Sequence, residues 1–173
     1  MQWHKMLELD ARLSGRLRVA ERPGTLRSLA VLLAHSGDSW FWLAGLSLVW
    51  LFGTDFWRAL ALAHILGILI TAFLVMSIKF TVRRRRPEGE WGSIYRSTDP
   101  HSFPSGHAAR AMMLAVLAIS LGPSWAGILL LIWAPLVVFA RVLMGLHYLS
   151  DVLAGALFGV AIGLVLGTYL AGI

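Results

Sequence analysis

Long apolar stretches separated by short polar segments dominate the chain. A bilayer core about 30 Å thick is crossed by a helix of roughly 20 apolar residues, with about 17 as the lower limit. Five stretches reach or approach this length, and they cover approximately residues 39–53, 56–79, 105–121, 125–141 and 151–173. The pattern therefore predicts an all-α integral membrane protein, built as a helical bundle of about five transmembrane helices.

The first 38 residues follow a different pattern. Apolar and basic residues alternate irregularly between Leu7 and Ala34, and Pro23 interrupts them. Arginines on one side of an apolar helix are typical of a segment that lies in the membrane interface. We therefore divide the chain into an interfacial amphipathic segment, residues 1–38, and a transmembrane domain, residues 39–173. An alternative stays open, in which residues 26–39 form part of a sixth span.

The composition agrees with a membrane location. Hydrophobic residues make up 58% of the 173 residues and charged residues 14%. Soluble domains average about 45–50% apolar and about 25% charged residues. One small core cannot bury so much apolar surface, so we expect lipid to surround much of the chain. We expect this membrane to be a bacterial or archaeal plasma membrane.

The charge and the absence of cysteine narrow the possible partners. A formal net charge of +6 would suggest nucleic-acid binding in a soluble protein. Here the basic residues lie beside apolar stretches, so we expect anionic head groups or a phosphate substrate and no nucleic acid. With no cysteine in the chain, disulfides, thiolate nucleophiles and zinc–thiolate sites are excluded. The oligomeric state is not readable from the sequence.

Three polar clusters are predicted to meet at one face of the membrane. The second and fourth spans end at the polar loops 80–104 and 142–150. Two crossings separate these loops, so both lie on the same face. The residues of interest near them are Lys79 and Arg86-Pro87, then Pro104-Ser105-Gly106-His107, then Arg141, His147 and Asp151.

Each cluster has an ordinary explanation beside a chemical one. The arginines Arg83, Arg84 and Arg85 are typical of a positive-inside anchor. Ser105 is placed as a helix N-cap, although a helix N-terminus followed by a histidine also suits an anion and a proton donor. His147 and Asp151, four residues apart, share a helix face, and a carboxylate there can orient an imidazole for nucleophilic attack.

Together the three clusters carry a resemblance. The motifs Lys-x6-Arg-Pro, Pro-Ser-Gly-His and Arg-x5-His-x3-Asp occur in this order between Lys79 and Asp151. This pattern resembles the type 2 phosphatidic acid phosphatase family, part of the acid phosphatase–vanadium haloperoxidase superfamily. The family often has serine before the arginine of the third motif, where this chain has Ala140. That difference removes a hydroxyl near the phosphate pocket and no catalytic group.

The resemblance implies a role for each motif residue. His147 would be the nucleophile, Asp151 would orient it, and His107 would protonate the leaving oxygen and later activate water. The phosphate would be bound by the side chains and backbone of Lys79, Arg86, Ser105, Gly106 and Arg141. Three cations at one site can neutralise a transferring phosphoryl group, so we expect no metal and no other cofactor.

The expected function is a lipid phosphatase acting through a phosphohistidine. Candidate substrates are phosphatidate, phosphatidylglycerol phosphate and an isoprenoid pyrophosphate. The alternatives are a vanadate-dependent haloperoxidase on the same site and a non-catalytic lipid-binding membrane protein. The basic residues favour a cytoplasmic position of the site. Residues 91–96 are a candidate lid or lipid-contacting wall.

Overall fold

The computed structural model describes the backbone of residues 2–4 and all atoms of residues 5–89, 91 and 99–172. Apart from an isolated bridge between Arg85 and His101, the regular elements of this part of the chain are helices. The seven α-helices are α1 (Gln2–Leu17), α2 (Thr25–Ser36), α3 (Ser39–Phe52), α4 (Asp55–Val82), α5 (Gly106–Leu121), α6 (Ser124–Leu143) and α7 (Leu149–Ala171). The predicted all-α class is confirmed. Of the candidate lid, only Trp91 lies within the described residues.

The five predicted stretches coincide with helices α3 to α7. Helices α4, α6 and α7 are long and apolar enough to cross a membrane, with mean hydropathies of 2.5, 2.3 and 2.2 over their best windows. Helices α3 and α5 are apolar but shorter, at 14 and 16 residues. Large apolar side chains point outward from the bundle, among them Phe73, Phe139 and Leu157. Such a surface is stable only in lipid, so the chain is an integral membrane protein.

Helix α5 forms the centre of the bundle. It packs against α4, α6 and α7, and most of its side chains are buried. Many of these are alanines, and the facing side of α7 carries Gly155, Gly159 and Gly163. A Cβ added at Gly159 would lie 2.9 Å from the Cα of Ala109. Small residues therefore bring the backbones of α5 and α7 into contact within one chain.

The N-terminal helices dock on one end of this bundle. Ser14 in α1 accepts a hydrogen bond from the backbone of Leu149 at 2.8 Å, at the start of α7. Ala30 and Ala34 in α2 pack against Ala140 at the end of α6. Helix α2 has 12 residues, which corresponds to about 18 Å and is too short to cross a bilayer core. A placement of residues 1–38 in the membrane interface stays a prediction.

Candidate active site

The residues of the three clusters converge where α4 ends and α5 and α7 begin. Lys79 is in the last turn of α4, Arg141 in the last turn of α6, and His107 in the first turn of α5. The motif side chains are largely buried, with exposed fractions of 2% for Lys79, 3% for Arg86 and 1% for Arg141 and His147. Charged groups at this depth require partners, and Lys79 and Arg86 share the carboxylate of Asp99.

A cavity of about 500 Å³ is lined by part of this cluster and by apolar residues of the bundle. Its polar wall includes Lys79, Gly106, His107 and His147. Its apolar wall is formed by Trp40 of α3 and by Ala72, Val75 and Met76 of α4. Trp40 and Met76 are themselves exposed on the outside of the bundle. The cavity therefore joins a cationic end to a lipid-facing side.

His147 is held in one tautomer by the backbone. Its Nδ1 lies 2.8 Å from the carbonyl oxygen of Ser102. A carbonyl only accepts, so Nδ1 carries the hydrogen and Nε2 keeps its lone pair. Arg86 Nη1 lies 3.1 Å from Nε2. Burial lowers the pKa of His147 well below its ordinary value, and the charges of Arg86 and Arg141 lower it further. The imidazole is thus neutral, and its unprotonated Nε2 lies at hydrogen-bond distance from a cation.

Asp151 lies close to His147, but its carboxylate is not the nearest hydrogen-bond partner of the imidazole. The distance from Asp151 Oδ2 to His147 Nδ1 is 3.7 Å, longer than a hydrogen bond. Oδ2 instead accepts from the backbone N–H of Tyr148 at 2.9 Å, as part of the cap of α7. The structure therefore assigns the direct bond to the Ser102 carbonyl, while Asp151 supplies negative charge nearby.

Arg84 contributes to the site in a way that the sequence did not indicate. Its Nη1 lies 2.7 Å from Asp151 Oδ1, and its Nη2 lies 2.7 Å from Asp10 Oδ2. The guanidinium also stacks 4.1 Å from the ring centroid of Tyr148. Within a run of four arginines nothing in the sequence distinguishes Arg84 from its neighbours. Its partners become visible only when α1 and α7 are placed beside the loop.

Asp99 bridges two of the predicted phosphate-binding cations. Its Oδ2 lies 2.6 Å from Lys79 Nζ and 2.7 Å from Arg86 Nη2. Burial raises the pKa of Asp99, but the charges of Lys79 and Arg86 outweigh it and hold the pKa below its ordinary value. The ionised carboxylate thus occupies the position between two cations that a phosphate oxygen would suit.

The start of α5 offers further groups to an anion. Ser105 immediately precedes the helix, and its backbone N–H donates to the Asp151 carbonyl at 2.9 Å. Its hydroxyl is buried and makes no hydrogen bond within the part of the chain that the structure describes. Gly106 lines the cavity beside it. A buried free hydroxyl at a helix N-terminus is suited to a phosphate oxygen.

His107 forms a hydrogen bond with a residue of the N-terminal segment. Its Nε2 lies 2.7 Å from Oδ1 of Asp38, in the short turn between α2 and α3. Arg110, one turn further along α5, donates two hydrogen bonds to the carbonyl of Gly37 and a third to the hydroxyl of Ser39. Residues 1–38 carried no predicted site residue, so Asp38 is an addition that the sequence did not signal.

Known proteins are similar to this chain in sequence and in fold. The PAP2 superfamily model matches residues 60–171. An undecaprenyl-diphosphatase of Sulfolobus acidocaldarius is 32% identical over 78% of this chain, which spans 66% of that relative's length. The crystal structure of a transmembrane PAP2 type phosphatidylglycerolphosphate phosphatase from Bacillus subtilis has a TM-score of 0.80 and 22% identity, covering 98% of this chain and 88% of the other. That of Aquifex aeolicus LpxE has a TM-score of 0.71 and 26% identity, covering 94% of each chain.

Proposed function

Because the chain belongs to the PAP2 superfamily, we propose that it is a membrane phosphatase that hydrolyses a phosphomonoester or pyrophosphate of a lipid. The observation that carries this proposal is the state of His147. A neutral imidazole with its lone pair on Nε2 lies among buried cations, beside a cavity with an apolar wall. This arrangement supports a nucleophile for an anionic phosphorus centre that is attached to a lipid.

The first half of the reaction forms a phosphohistidine. The Nε2 of His147 attacks phosphorus, and the bond from phosphorus to the lipid oxygen breaks. The leaving oxygen takes a proton from His107, so the lipid departs as a neutral alcohol or, from a pyrophosphate, as a protonated phosphate. The bond from Nδ1 to the Ser102 carbonyl holds the ring in its attacking orientation, and the charge of Asp151 stabilises the positive charge that develops on it.

The second half returns the histidine. His107, now neutral, takes a proton from water while the water oxygen bonds phosphorus and the phosphorus–nitrogen bond breaks. Inorganic phosphate leaves, and His107 is again protonated. Lys79, Arg86 and Arg141 would neutralise the equatorial oxygens in both steps, assisted by the Ser105 hydroxyl and the Gly106 N–H. We propose that these groups suffice without a metal ion.

The cavity supports a lipid rather than a soluble substrate. Its cationic end suits the phosphate, and the apolar side chains of α3 and α4 would contact the first part of the lipid tail. Phosphatidate, phosphatidylglycerol phosphate and an isoprenoid pyrophosphate all have this form. Phosphatidylglycerol phosphate and an isoprenoid pyrophosphate should be tested first, because the relatives from Bacillus subtilis and Sulfolobus acidocaldarius are named for such substrates.

A direct assay tests the proposal. Phosphate release by the detergent-purified protein is measured in EDTA from these three lipids and a soluble phosphomonoester, with His147→Ala beside the wild type. We expect release that persists in EDTA and disappears in the variant. No release from any substrate by folded wild-type protein would instead support the non-catalytic lipid-binding alternative. Peroxide- and vanadate-dependent halogenation would support the haloperoxidase alternative.

We also propose in which membrane the protein lies and at which face of that membrane the site is placed. The excess of arginine at the end of the bundle that carries the site supports a cytoplasmic position. We propose a plasma membrane of bacterial or archaeal type. Arg83 and Arg85, with the arginines of α1, contribute to this excess without contacting the motif residues in the contacts described above.

A further inference from the structure

A carboxylate outside the three motifs holds the second histidine of the site. Asp38 Oδ1 lies 2.7 Å from His107 Nε2, and its other oxygen lies 3.1 Å from Nδ1 of His35. The side chains of Asp38 and His107 are 19% and 18% exposed, whereas that of His35 is 47% exposed. Both carboxylate oxygens of Asp38 are therefore used, one toward the cavity and one toward the surface.

The turn that carries Asp38 is fixed against the bundle from several directions. Arg110 Nε and Nη2 donate to the Gly37 carbonyl at 2.9 and 2.7 Å. The indole nitrogens of Trp42 and Trp133 donate to the backbone and the hydroxyl of Ser36 at 2.8 and 2.9 Å. A Cβ added at Gly37 would lie 3.4 Å from His107 Cδ2, so the turn packs directly on the imidazole. These contacts give the carboxylate one position relative to the ring.

Charge supports the same assignment. Arg110 and Arg141 carry positive charge in the surroundings of His107, and Asp38 is the carboxylate in contact with it. Burial raises the pKa of Asp38, but the hydrogen bonds with His107 and His35 outweigh it and hold the pKa well below its ordinary value. Asp38 is thus ionised and offsets the two arginines when the imidazole carries a proton.

We propose that Asp38 is a positioning residue that orients His107 through Nε2 and stabilises its protonated form. With Nε2 bonded to Asp38, Nδ1 is the nitrogen that exchanges a proton with the leaving oxygen and then with water. This inference rests on the proposed phosphatase reaction, in which the lipid oxygen gains one proton in the first step and His107 regains one from water in the second. No group besides the substrate and water is consumed.

The expected effect of Asp38→Asn depends on the leaving group. The amide can still accept a hydrogen bond, but it does not stabilise the imidazolium. General acid–base catalysis contributes typically 10²–10⁴-fold, so we expect kcat for a lipid phosphate to fall about hundredfold, with KM changed little. With p-nitrophenyl phosphate the leaving group departs without a proton, so formation of the phosphohistidine is retained. Its hydrolysis still needs His107, so the phosphorylated protein accumulates in the variant.

The experiment compares purified wild type, Asp38→Asn and the control Asp55→Asn. Asp55 is an exposed carboxylate in the first turn of α4, at the opposite end of that helix from Lys79, and its variant should match the wild type. The readouts are kcat and KM for the lipid, acid-labile protein-bound phosphate with p-nitrophenyl phosphate, and the midpoint of thermal unfolding. If Asp38→Asn does not fold, Asp38→Glu replaces it. That variant keeps the charge and displaces the oxygens by one methylene, so we expect a smaller loss of lipid turnover and a smaller, still measurable accumulation of phosphorylated protein.

Two outcomes would overturn the inference in different ways. A loss of lipid turnover without accumulation of phosphorylated protein from p-nitrophenyl phosphate would show that Asp38 has a purely structural role while the phosphatase reaction stands. A wild-type protein that forms no phosphohistidine and releases no phosphate would overturn the proposed function itself, and the inference with it.

Discussion

Arg84 and Asp151 form an ion pair in the site, with Nη1 and Oδ1 2.7 Å apart. The Asp151 side chain is completely buried, and that of Arg84 is 18% exposed. The second arm of Arg84 reaches Asp10 in α1, so one guanidinium joins the N-terminal helix, the loop after α4 and the start of α7. The carboxylate beside the proposed nucleophile therefore depends on a loop residue for its charge balance.

Replacing Arg84 by glutamine should lower both stability and activity. Removing one partner of a buried ion pair leaves an uncompensated charge, which typically costs about 3–5 kcal/mol; because Arg84 is partly exposed, we expect about 3 kcal/mol. Phosphate release should fall at least about tenfold, corresponding to about 1.4 kcal/mol in the barrier. Thermal unfolding in detergent and the lipid phosphatase assay measure the two effects.

The neighbouring Arg85 provides the matched control. Its side chain is exposed, and its backbone pairs with that of His101. Arg85→Gln should change the free energy of unfolding by less than about 0.5 kcal/mol, as is usual for surface positions. Equal effects of the two substitutions would contradict a specific role for Arg84 and return it to the anchoring role that the sequence suggested.

The motif residues could be predicted from the sequence because each lies at a helix end or one turn from it. Lys79, His107 and Arg141 keep their spacing to the predicted spans, so the topology alone brings them to one face. The residues that were not predicted depend on tertiary packing. Asp38 reaches His107 from a turn distant in sequence, and Ser102 contributes a backbone carbonyl, which no side-chain pattern can reveal.

Asp99 should compete with the phosphate for Lys79 and Arg86. Its carboxylate accepts from both cations, at 2.6 and 2.7 Å. Asp99→Asn removes the negative charge and keeps the size, so inorganic phosphate or vanadate should inhibit about tenfold more strongly. This corresponds to about 1.4 kcal/mol of binding free energy, which is a modest share of the interaction energy of two close charges near a protein surface. Inhibition constants against wild type measure this. Weaker inhibition in the variant would mean that Asp99 acts by holding the two cations in place.

The activity should persist into more acidic solution than an ordinary histidine permits. Burial is the largest cause that lowers the pKa of His147 from its ordinary 6.5, and the charges of Arg86 and Arg141 lower it further. Attack requires the neutral ring, so activity is present above this lowered pKa and is lost as the pH falls through it. The acid limb of kcat/KM, corrected for ionisation of the substrate phosphate, should lie below about pH 6.5. An inflection at or above that value would contradict a buried neutral nucleophile.

Helix α7 should not tolerate a side chain at Gly159. A Cβ there would lie 2.7 Å from the carbonyl carbon of Ala109 and 2.9 Å from its Cα, so α5 and α7 would have to separate. Overpacking costs typically about 1–3 kcal/mol, and backbone is less able to move than a side chain. Gly159→Ala should therefore lower the midpoint of unfolding. At Gly45 in α3 an added Cβ meets nothing within 4 Å, and Gly45→Ala should leave the midpoint unchanged or raise it.

The C-terminus should lie on the membrane face opposite the site. Helix α7 begins beside His147 and is long enough to cross the bilayer, whereas α1 contacts the start of α7 and so belongs to the same end of the bundle as the site. With a cytoplasmic site, a reporter enzyme active only outside the cytoplasm should be active when fused after the last residue. A fluorescent reporter that matures in the cytoplasm should be bright when fused before the first residue. A bright C-terminal fusion with an inactive exported reporter would reverse the proposed orientation, since α7 would then deliver the chain to the cytoplasm and place the catalytic end outside.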